Sequence, residues 1–384
     1  MDKKKKSAPL KLLFLYASAG TGHKQAALAL KKVCDQGSIA ETEAIDILDY
    51  SPQYFKKLYS EGYLEVVKTA PDLWGYLYDR AYQFNKATVV ERMHHIIGNL
   101  HIRALLDYVK KFSPDAIVFS HFLGFKALSS LRKSKAGRVP FYCVVTDYAV
   151  HPIWISQNVD RYYVASEGEK RTLKSHKFTE EQIEITGIPV DPSFSQQVDV
   201  ERACKNIGFD PNIPKILIIA GHHNQKEYEN MLRSFSGVKQ ELQIIALAGK
   251  HKTLKRKFEE IGKGLLHKVN VYGMVDNMHE LMSLVDIVIS KPGGLTTSEV
   301  LASKTLMGIV DPIPGQEQRN TDYLLENGVG IRIHDMANAG IKIGELLYDK
   351  SRLSVMRSHL KWVSKPRACF DIIDDIVSSL RLKS

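Results

Sequence analysis

The chain has 384 residues, of which 44% are hydrophobic and 25% charged, a composition that excludes a disordered or low-complexity protein. A single hydrophobic core rarely extends over such a length, so two domains are predicted. The net charge of +10 indicates an anionic partner, but charge alone does not distinguish nucleic acid, anionic lipid and a phosphorylated substrate.

The cysteines and the apolar runs indicate the cellular setting. Cys34, Cys143, Cys204 and Cys369 lie far apart, without the spacing of a zinc site or the density of a disulfide scaffold, which indicates a reducing cytoplasm. No apolar run approaches the roughly 20 residues that span a bilayer. We therefore expect any membrane contact to be peripheral.

The beginning of the chain resembles a signal peptide, with a lysine-rich start followed by an apolar stretch from Leu10 to Ala19. Lys11 interrupts that stretch, which then leads directly into a glycine-rich turn and a helical pattern. We interpret it as the first strand.

Short β-branched runs alternate with helical patterns along the rest of the chain, which indicates parallel βαβ units with both sheet faces covered. The predicted strands are Leu12 to Ala17, Ala116 to Ser120, Phe141 to Thr146, Tyr162 to Ala165, Lys215 to Ala220, Ile244 to Ala248, Val269 to Tyr272, Val285 to Ile289 and Met307 to Val310. The series pauses between Gly187 and Pro214, where four prolines interrupt any regular element, and we place the hinge there.

These patterns predict an α/β protein with two doubly wound, Rossmann-like domains that face each other across a cleft. The predicted domains are residues 1–190 and residues 191–365. Residues 366–384 are predicted to form a helix that packs back on the first domain.

The turn after the first strand reads Ser18-Ala19-Gly20-Thr21-Gly22-His23-Lys24. His23 interrupts a Walker pattern, and Gln25 stands where a dinucleotide fingerprint needs its third glycine. What remains is a glycine turn that presents a histidine at a helix N-terminus, where the positive end of the helix dipole keeps the imidazole neutral. Gly22 is therefore a candidate donor-binding residue, and His23 is the candidate general base. The alternative is a capping or merely exposed histidine.

The segment from Tyr50 to Phe112 is mostly helical in pattern and mixes tyrosine, tryptophan and cations, as proteins at a bilayer interface do. Its candidate membrane and acceptor residues are Lys56, Lys57, Tyr59, Tyr63, Trp74, Tyr78, Arg80 and Tyr82. The alternative is that the aromatic side chains belong to the core of the first domain.

Asp147 and His151 follow the third predicted strand, at the sheet edge where functional groups gather. We assign them as candidate catalytic residues. The alternative is a turn-forming aspartate and a solvated histidine. Because no cluster has metal-ligand spacing, no metal is predicted.

The second half of the chain carries glycine-rich turns after its predicted strands. The sequence S-K-P-G-G-L-T-T-S-E from Ser290 to Glu299 opens a helix at a strand's carboxyl end, which is a site for the diphosphate of a nucleotide. Glu299 is placed to accept hydrogen bonds from ribose hydroxyls. The candidate donor-binding residues of this half are Gly221, His222, Met274, Val275, Pro292, Gly293, Gly294, Leu295, Thr296, Glu299, Gln316, Glu317 and Asn320.

Taken in order, S-A-G-T-G-H, T-D-Y-A-V-H-P-I-W, I-T-G-I-P-V, K-P-G-G-L-T-T-S-E and P-G-Q-E-Q-R-N resemble the processive diacylglycerol glucosyltransferases over nearly the whole chain. The chain is also similar to plant monogalactosyldiacylglycerol synthases and, more distantly, to the transferase that adds N-acetylglucosamine to make lipid II.

The resemblance implies a GT-B fold and an inverting transfer without cofactor or metal. It further implies that residues 191–365 bind a UDP-hexose donor and that residues 1–190 associate with the membrane and take a diacylglycerol acceptor from it. It also implies that His23 is the base, that Gly293, Gly294, Leu295 and Thr296 form the phosphate loop, that Glu299 contacts ribose, and that Gln316 and Glu317 contact the sugar. The chain departs from the family at Gly221 to Asn224, where relatives carry smaller residues.

Two alternatives stay open at this point. One is another enzyme of the same fold, a lipid II type transferase or a UDP-N-acetylglucosamine epimerase. The other is a sensor that binds UDP-sugar or lipid and has lost the transfer activity. The expected partners are UDP-hexose, diacylglycerol and an anionic membrane surface, and the expected location is the cytoplasm, peripherally on the inner face of the cell membrane. Nucleic acid is not expected, since no recognised binding module accompanies the charge.

Overall fold

A computed structural model describes residues 9–18, 20–53, 56–57, 59, 69–70, 72–73, 75–76, 80, 102–128, 131, 139–221 and 225–382. They divide into two compact units. The first contains the described residues of Met1–Pro192, Pro314–Gln316 and Arg367–Ser384, and the second consists of Ser193–Ile313 and Glu317–Pro366.

The first unit is built on a parallel sheet. Its strands are β1 (Leu10–Tyr16), β2 (Ala40–Asp46), β3 (Ala116–Phe119), β4 (Phe141–Val144), β5 (Arg161–Val164) and β6 (Ile183–Ile185). Its helices are α1 (Gly22–Gly37), α2 (Ile102–Phe112), α3 (Gly124–Ala127), α4 (Glu167–Ser175) and, from the chain's end, α13 (Ala368–Arg381). Within the described residues the strand order is β2-β1-β3-β4-β5-β6.

The side chains of β1 show why this sheet is covered on both faces. Leu13 and Leu15 pack in one core with α2, while Leu12 and Phe14 pack in another core with α1 and α13. Successive side chains of a strand point to opposite faces, so an uninterrupted apolar run fits only a strand buried on both sides. The doubly wound arrangement follows directly from the sequence of this strand.

The second unit repeats the design. Its strands are β7 (Lys215–Ile219), β8 (Gln243–Leu247), β9 (Lys268–Tyr272), β10 (Ile287–Ser290), β11 (Leu306–Ile309) and β12 (Gly330–Arg332). Its helices are α5 (Val200–Asn206), α6 (Gln225–Ser234), α7 (Lys252–Lys263), α8 (Met278–Leu284), α9 (Gly294–Ala302), α10 (Gln316–Glu326), α11 (Ala339–Tyr348) and α12 (Lys350–Val363). The described strands pair in parallel in the order β12-β11-β10-β7-β8-β9.

All nine predicted strands are confirmed, and the strands that the sequence pattern missed are β2, β6 and β12. Each of these lies at an edge of its sheet. β2 alternates exposed glutamates with partly buried residues, and β6 and β12 have three residues each. An edge strand needs only one paired side and one covered face, so it carries a weak hydrophobic pattern.

The predicted fold class, α/β with two doubly wound units, is confirmed. Among the described residues, no helix is long and apolar enough to cross a membrane.

Candidate active site

Each sheet has one position where the strand order reverses, and the predicted site motifs follow the strands on either side of it. In the first unit, β1 pairs with both β2 and β3, so the reversal lies between β1 and β3. In the second unit it lies between β7 and β10. Ligands of open α/β sheets bind outside the carboxyl ends of the strands at such a point.

His23 lies at the reversal point of the first unit, as the second residue of α1. The turn before it passes through Gly20, whose φ of +92° lies in the left-handed region that favours glycine. The Nδ1 atom of His23 lies 2.9 Å from the carbonyl oxygen of Ser120 and 2.8 Å from the hydroxyl of Thr146. In return, the Ser120 hydroxyl donates to the carbonyl oxygen of His23 at 2.8 Å. Ser120 after β3 and Thr146 after β4 thus both contact Nδ1 of the imidazole, and Ser120 also holds the backbone of His23.

These contacts determine the protonation of the ring. A carbonyl oxygen only accepts, so Nδ1 of His23 carries the proton that is donated to Ser120, and a neutral ring then has its lone pair on Nε2. Burial lowers the pKa of His23 to about 4, while the hydrogen bond to Ser120 acts in the opposite direction. The ring is therefore neutral near pH 7, with Nε2 able to accept a proton.

A second histidine, His121, lies against the first and was missed by the sequence analysis. Its ring meets His23 edge-on, with centroids 4.6 Å apart, and its Nδ1 accepts from the backbone of Leu123 at 3.2 Å. Burial, and secondarily the neighbouring His23, lowers the pKa of His121 well below its usual value. The sequence signal for His121 was its position after β3. The same kind of position, after β4, had selected Asp147.

The candidates Asp147 and His151 are both buried, at 5% and 7% exposure, so His151 is not the solvated histidine of the alternative interpretation. His151 caps the short turn Pro152–Trp154, its Nδ1 accepting from the backbone of Ile153 at 3.2 Å. Asp147 accepts hydrogen bonds at 2.8 and 2.7 Å from the amide of Gln316, a residue grouped with the first unit. Two predicted residues that lie far apart in sequence are therefore brought together.

Helix α9 of the second unit begins at the predicted phosphate loop. Gly293 is the N-cap of α9 in an extended conformation, with no side chain capping it, and no acidic residue occupies the first turn. The first intrahelical hydrogen bond shown runs from Thr297 to Gly293, at 2.8 Å. Helix geometry leaves the N–H groups of Gly294, Leu295 and Thr296 without partners inside the helix, which is the arrangement that anions favour at a helix N-terminus.

Side chains from α10 hold this loop in place. The amide of Asn320, which is fully buried, donates to the carbonyl oxygen of Pro292 at 2.9 Å. Glu317 accepts from the backbone N–H of Ile313 at 2.7 Å, and its other oxygen lies near Gly293. Burial raises the pKa of Glu317, an effect that Lys291 partly offsets. The predicted residues Pro292, Gly293, Glu317 and Asn320 are thus brought together.

Lys291 is a cation at this loop that the sequence analysis did not assign. Its Nζ lies 2.7 Å from a carboxylate oxygen of Asp311, which follows β11. A Cβ atom added to Gly221 would lie 3.3 Å from the Lys291 side chain and 3.2 Å from the hydroxyl of Tyr228. The side chain of Lys291 therefore passes beside Gly221, at the reversal point between β7 and β10.

The remaining donor candidates lie further from the loop or outside the described residues. Met274 and Val275 follow β9, three strands from β10, which corresponds to roughly 14 Å at the usual strand spacing. Met274 is 69% exposed. Glu299 lies in the second turn of α9 and is partly buried. His222 lies outside the described residues.

The candidate membrane residues are described only in part. Tyr63, Trp74, Tyr78 and Tyr82 lie outside the described residues. Tyr59 packs partly buried against the core of the first sheet, with its hydroxyl 3.4 Å from Nε2 of His121. The other described members are cations.

Those cations are Lys56, Lys57 and Arg80. Lys56 forms an ion pair with Asp49 at 2.5 Å, and the guanidinium of Arg80 lies 5.6 Å from the ring centroid of Tyr76. Across the described residues, no group of three or more histidine, cysteine, aspartate or glutamate side chains has the arrangement of a metal site.

Comparison with solved structures defines the class of the fold. MurG from Acinetobacter baumannii superimposes with a TM-score of 0.64 at 13% identity, covering 97% of this chain and 100% of that one. UDP-GlcNAc 2-epimerase from Neisseria meningitidis, bound to UDP-GlcNAc, gives a TM-score of 0.60 at 13% identity, covering 98% and 100%. At such identities the likeness concerns the fold alone. Each unit is a doubly wound domain, and the chain has the GT-B-type fold.

The sequence comparisons identify the family. Residues 23–190 match the family model of monogalactosyldiacylglycerol (MGDG) synthase, and residues 215–349 match the glycosyltransferase family 28 C-terminal domain. The processive diacylglycerol beta-glucosyltransferase of Bacillus cereus (strain B4264) is 30% identical over 375 residues, which cover 96% of this chain and 93% of that protein. The chain belongs to the family of the processive diacylglycerol glucosyltransferases, which confirms the resemblance predicted from its motifs.

Proposed function

We propose that the protein transfers a hexose from a UDP-sugar to diacylglycerol with inversion at the anomeric carbon. The observation that carries this proposal is the geometry of His23: a neutral imidazole, fixed through Nδ1, whose Nε2 accepts a proton. The curated relatives named as diacylglycerol glucosyltransferases support the acceptor class, since they match over 96% of the chain.

The second unit binds the donor in this proposal. The first N–H groups of α9 hold the diphosphate, and the fixed positive end of the helix stabilises the charge that develops on UDP as it leaves. Lys291 adds a full positive charge beside the loop. These groups supply by themselves the electrostatic stabilisation that a divalent metal gives to other transferases, so we propose a transfer without metal or cofactor.

The first unit activates the acceptor. Nε2 of His23 takes the proton from the primary hydroxyl of diacylglycerol while that oxygen forms a bond to the anomeric carbon. The bond from the anomeric carbon to the β-phosphate oxygen breaks at the same time, and its electron pair leaves with UDP. Because attack and departure occur on opposite faces, a UDP-α-hexose gives a β-glycoside.

The remaining predicted residues orient the donor. We propose that Glu299 accepts hydrogen bonds from the ribose hydroxyls and that Met274 and Val275 lie at the base. Gln316 and Glu317 contact the hexose, and the hydrogen bonds of Gln316 to Asp147 preset the direction of its amide. Asp147 is then a positioning residue.

Because the acceptor is a lipid, the protein is proposed to act at the cytoplasmic face of the cell membrane as a peripheral enzyme. Its net charge of +10 favours an anionic membrane surface. Two alternatives of the same fold are an epimerase and a lipid II type transferase. They rest on structural likeness to proteins of 13% sequence identity, whereas the diacylglycerol glucosyltransferases are 30% identical in sequence to this chain.

The proposal is tested with a panel of labelled UDP-sugars and vesicles that contain diacylglycerol, with mass analysis of the extracted lipids. The panel includes UDP-glucose and UDP-galactose, since the relatives and the matched family model name different hexoses. We expect a hexosyl-diacylglycerol with one of these donors, in the presence of a metal chelator. Binding of UDP-sugar without any lipid product would refute the transfer and favour the sensor alternative.

A further inference from the structure

Helix α12 of the second unit exposes two large apolar side chains. Trp362 is 73% exposed and Val355 is 55% exposed. Seven residues correspond to about two helical turns, so both side chains lie on one face. The opposite face is buried in the unit through Leu353, Met356, Leu360 and Val363. The helix is thus anchored on one side and presents a tryptophan on the other.

The same segment is entirely basic in its charges. From Lys350 to Pro366 the sequence contains Lys350, Arg352, Arg357, Lys361 and Lys365 and no aspartate or glutamate. The Nζ atom of Lys361 lies 4.8 Å from the ring centroid of Trp362. The cation therefore accompanies the exposed ring.

Two acidic residues beside this helix, Asp286 and Asp349, are already engaged. Asp286 pairs with Arg357, and Asp349 caps the helix by accepting from the backbone N–H of Arg352 at 2.9 Å. Lys350, Lys361 and Lys365 then determine the sign of the charge on the outer face.

A cavity of about 550 Å³ lies beside the helix, lined in part by Lys304, Lys350, Arg357 and Asp286. It also includes Lys215 and Thr305, which lie at the amino ends of β7 and β11. The phosphate loop at Gly293 follows the carboxyl end of β10, at the opposite edge of the same sheet. The cation-lined cavity is therefore separate from the proposed donor site.

We propose that the α12 surface, defined as Lys350, Val355, Lys361, Trp362 and Lys365, docks the protein on an anionic lipid bilayer. Tryptophan is favoured at headgroup depth because its ring is amphipathic, and lysines beside it are attracted to anionic headgroups. The inference rests on the proposed function in one respect, that the acceptor is a membrane lipid.

Charge complementarity is the reason to commit to a bilayer. A stable protein interface buries about 800 Å² on each partner around an apolar centre depleted of lysine. The α12 surface instead places two apolar side chains among lysines of one sign. That composition suits a continuous negative surface better than the centre of a protein interface.

The test is co-sedimentation of the full chain with phosphatidylcholine vesicles, with and without phosphatidylglycerol, in the absence of donor and diacylglycerol. We expect binding that requires phosphatidylglycerol and weakens as salt is raised. The paired change Lys361→Glu with Lys365→Glu is expected to weaken vesicle binding at least tenfold, and Trp362→Ala at least threefold. Leu266→Ala, at another exposed apolar residue of the same unit, is the matched control and is expected to bind normally.

UDP affinity and the melting temperature are measured on every variant. Unchanged UDP affinity together with lost vesicle binding supports the proposal, whether or not the wild type forms a glycolipid. Wild-type vesicle binding by both variants overturns it, as does a wild type that ignores phosphatidylglycerol. If Trp362→Ala changes the oligomeric state but leaves vesicle binding intact, the surface is a protein interface and the proposal is wrong. Loss of vesicle binding on addition of millimolar inorganic phosphate, at an ionic strength held constant with chloride, would indicate a specific ion site rather than a bilayer contact and would overturn the proposal.

Discussion

At the scale of single residues, the account depends on which nitrogen of His23 carries the proton. The Ser120 carbonyl fixes that proton on Nδ1, and the start of α1 together with burial disfavours the charged ring. A base with a depressed pKa is a weak proton acceptor in isolation. The His23 ring nevertheless remains neutral over the whole physiological pH range, with Nε2 unprotonated. Proton transfer to Nε2 then occurs as the attacking hydroxyl becomes acidic in the transition state.

Replacing His23 by alanine is expected to lower kcat by about a hundredfold to ten-thousandfold, because a positioned base is lost. UDP affinity, measured by calorimetry, is expected to stay unchanged, since the diphosphate site lies in the other unit. His176→Ala, near the end of α4, serves as the control and should retain full turnover. Turnover of His23→Ala within a fewfold of wild type would show that another group is the base.

The low pKa of His23 also predicts the dependence on pH. Protonation of Nε2 abolishes the base, so kcat/KM is expected to be constant around neutrality and to fall only as the pH approaches about 4. A pH profile of kcat/KM with an acid limb near 6.5, the ordinary value for histidine, would contradict a buried neutral base.

The same shift has a consequence for stability. The folded pKa is below the unfolded value of 6.5, so on acidification the unfolded chain binds the proton first. The contribution of His23 is fully present above pH 6.5 and is lost as the pH falls from 6.5 towards 4. Urea unfolding across this window should show a shallower loss for His23→Gln than for the wild type. An equal loss in both proteins would contradict the pKa assignment.

Lys291 is expected to change partners when the donor binds. Lys291→Met should weaken UDP binding roughly tenfold or more, because a charge-assisted hydrogen bond to phosphate is lost. Asp311→Asn leaves the lysine in place and removes its competing anion, so UDP binding should be as strong as in the wild type or stronger. Calorimetric titration with UDP distinguishes these outcomes. Wild-type affinity in Lys291→Met would exclude the cation from the site.

At the scale of helices and strands, the sequence predicted every central strand of the described residues and, of the edge strands, β9 but not β2, β6 or β12. The buried parts of β1 and β10, Leu12–Tyr16 and Ile287–Ile289, are apolar because both faces of these strands are covered, so their hydrophobic runs are unambiguous. β2, with the sequence AETEAID, has the composition of an exposed segment and becomes a strand only because β1 offers it a partner. Pairing with a neighbour is a tertiary effect, which a local pattern does not contain.

The contact between α11 and the end of α6 gives a test of packing. A Cβ atom on Gly340 would lie 2.5 Å from the backbone of Ser234, whereas a Cβ atom on Gly237, in the adjoining turn, would meet Ile341 at an ordinary 3.6 Å. Gly340→Ala should therefore lower the free energy of unfolding by about 1 to 3 kcal/mol. Gly237→Ala, the matched control, should change it by less than about 0.5 kcal/mol. Denaturant unfolding measures both free energies of unfolding. If Gly340→Ala is as stable as the wild type, the backbone at Ser234 shifts without cost to accommodate the added methyl group, and the prediction is wrong.

At the scale of the whole molecule, the chain uses the same doubly wound design twice for different chemistry. The reversal point of the first sheet holds His23, which we propose as the base, and that of the second holds a helix N-terminus with a lysine beside it. Each arises where two strands that are distant in sequence become neighbours, β1 with β3 and β7 with β10.

This origin explains how much of the site the sequence could predict. His23 and Gly293 were found because each stands in a local motif, a glycine turn between a strand and a helix. His121 was missed although it follows a predicted strand, as Asp147 does. The Lys291–Asp311 pair was missed because the two residues meet only when β10 and β11 become neighbours. The contact between Asp147 and Gln316 joins residues 169 positions apart, and no local spacing predicts it.

The most direct measurement is the anomeric configuration of the sugar in the lipid formed from a UDP-α-hexose and diacylglycerol, read from the proton coupling constant by NMR. Attack by the acceptor oxygen opposite to the leaving UDP, with His23 as the base, predicts a β-linked hexosyl-diacylglycerol. An α-linked product, or no glycolipid from any donor of the panel, would contradict the proposed mechanism.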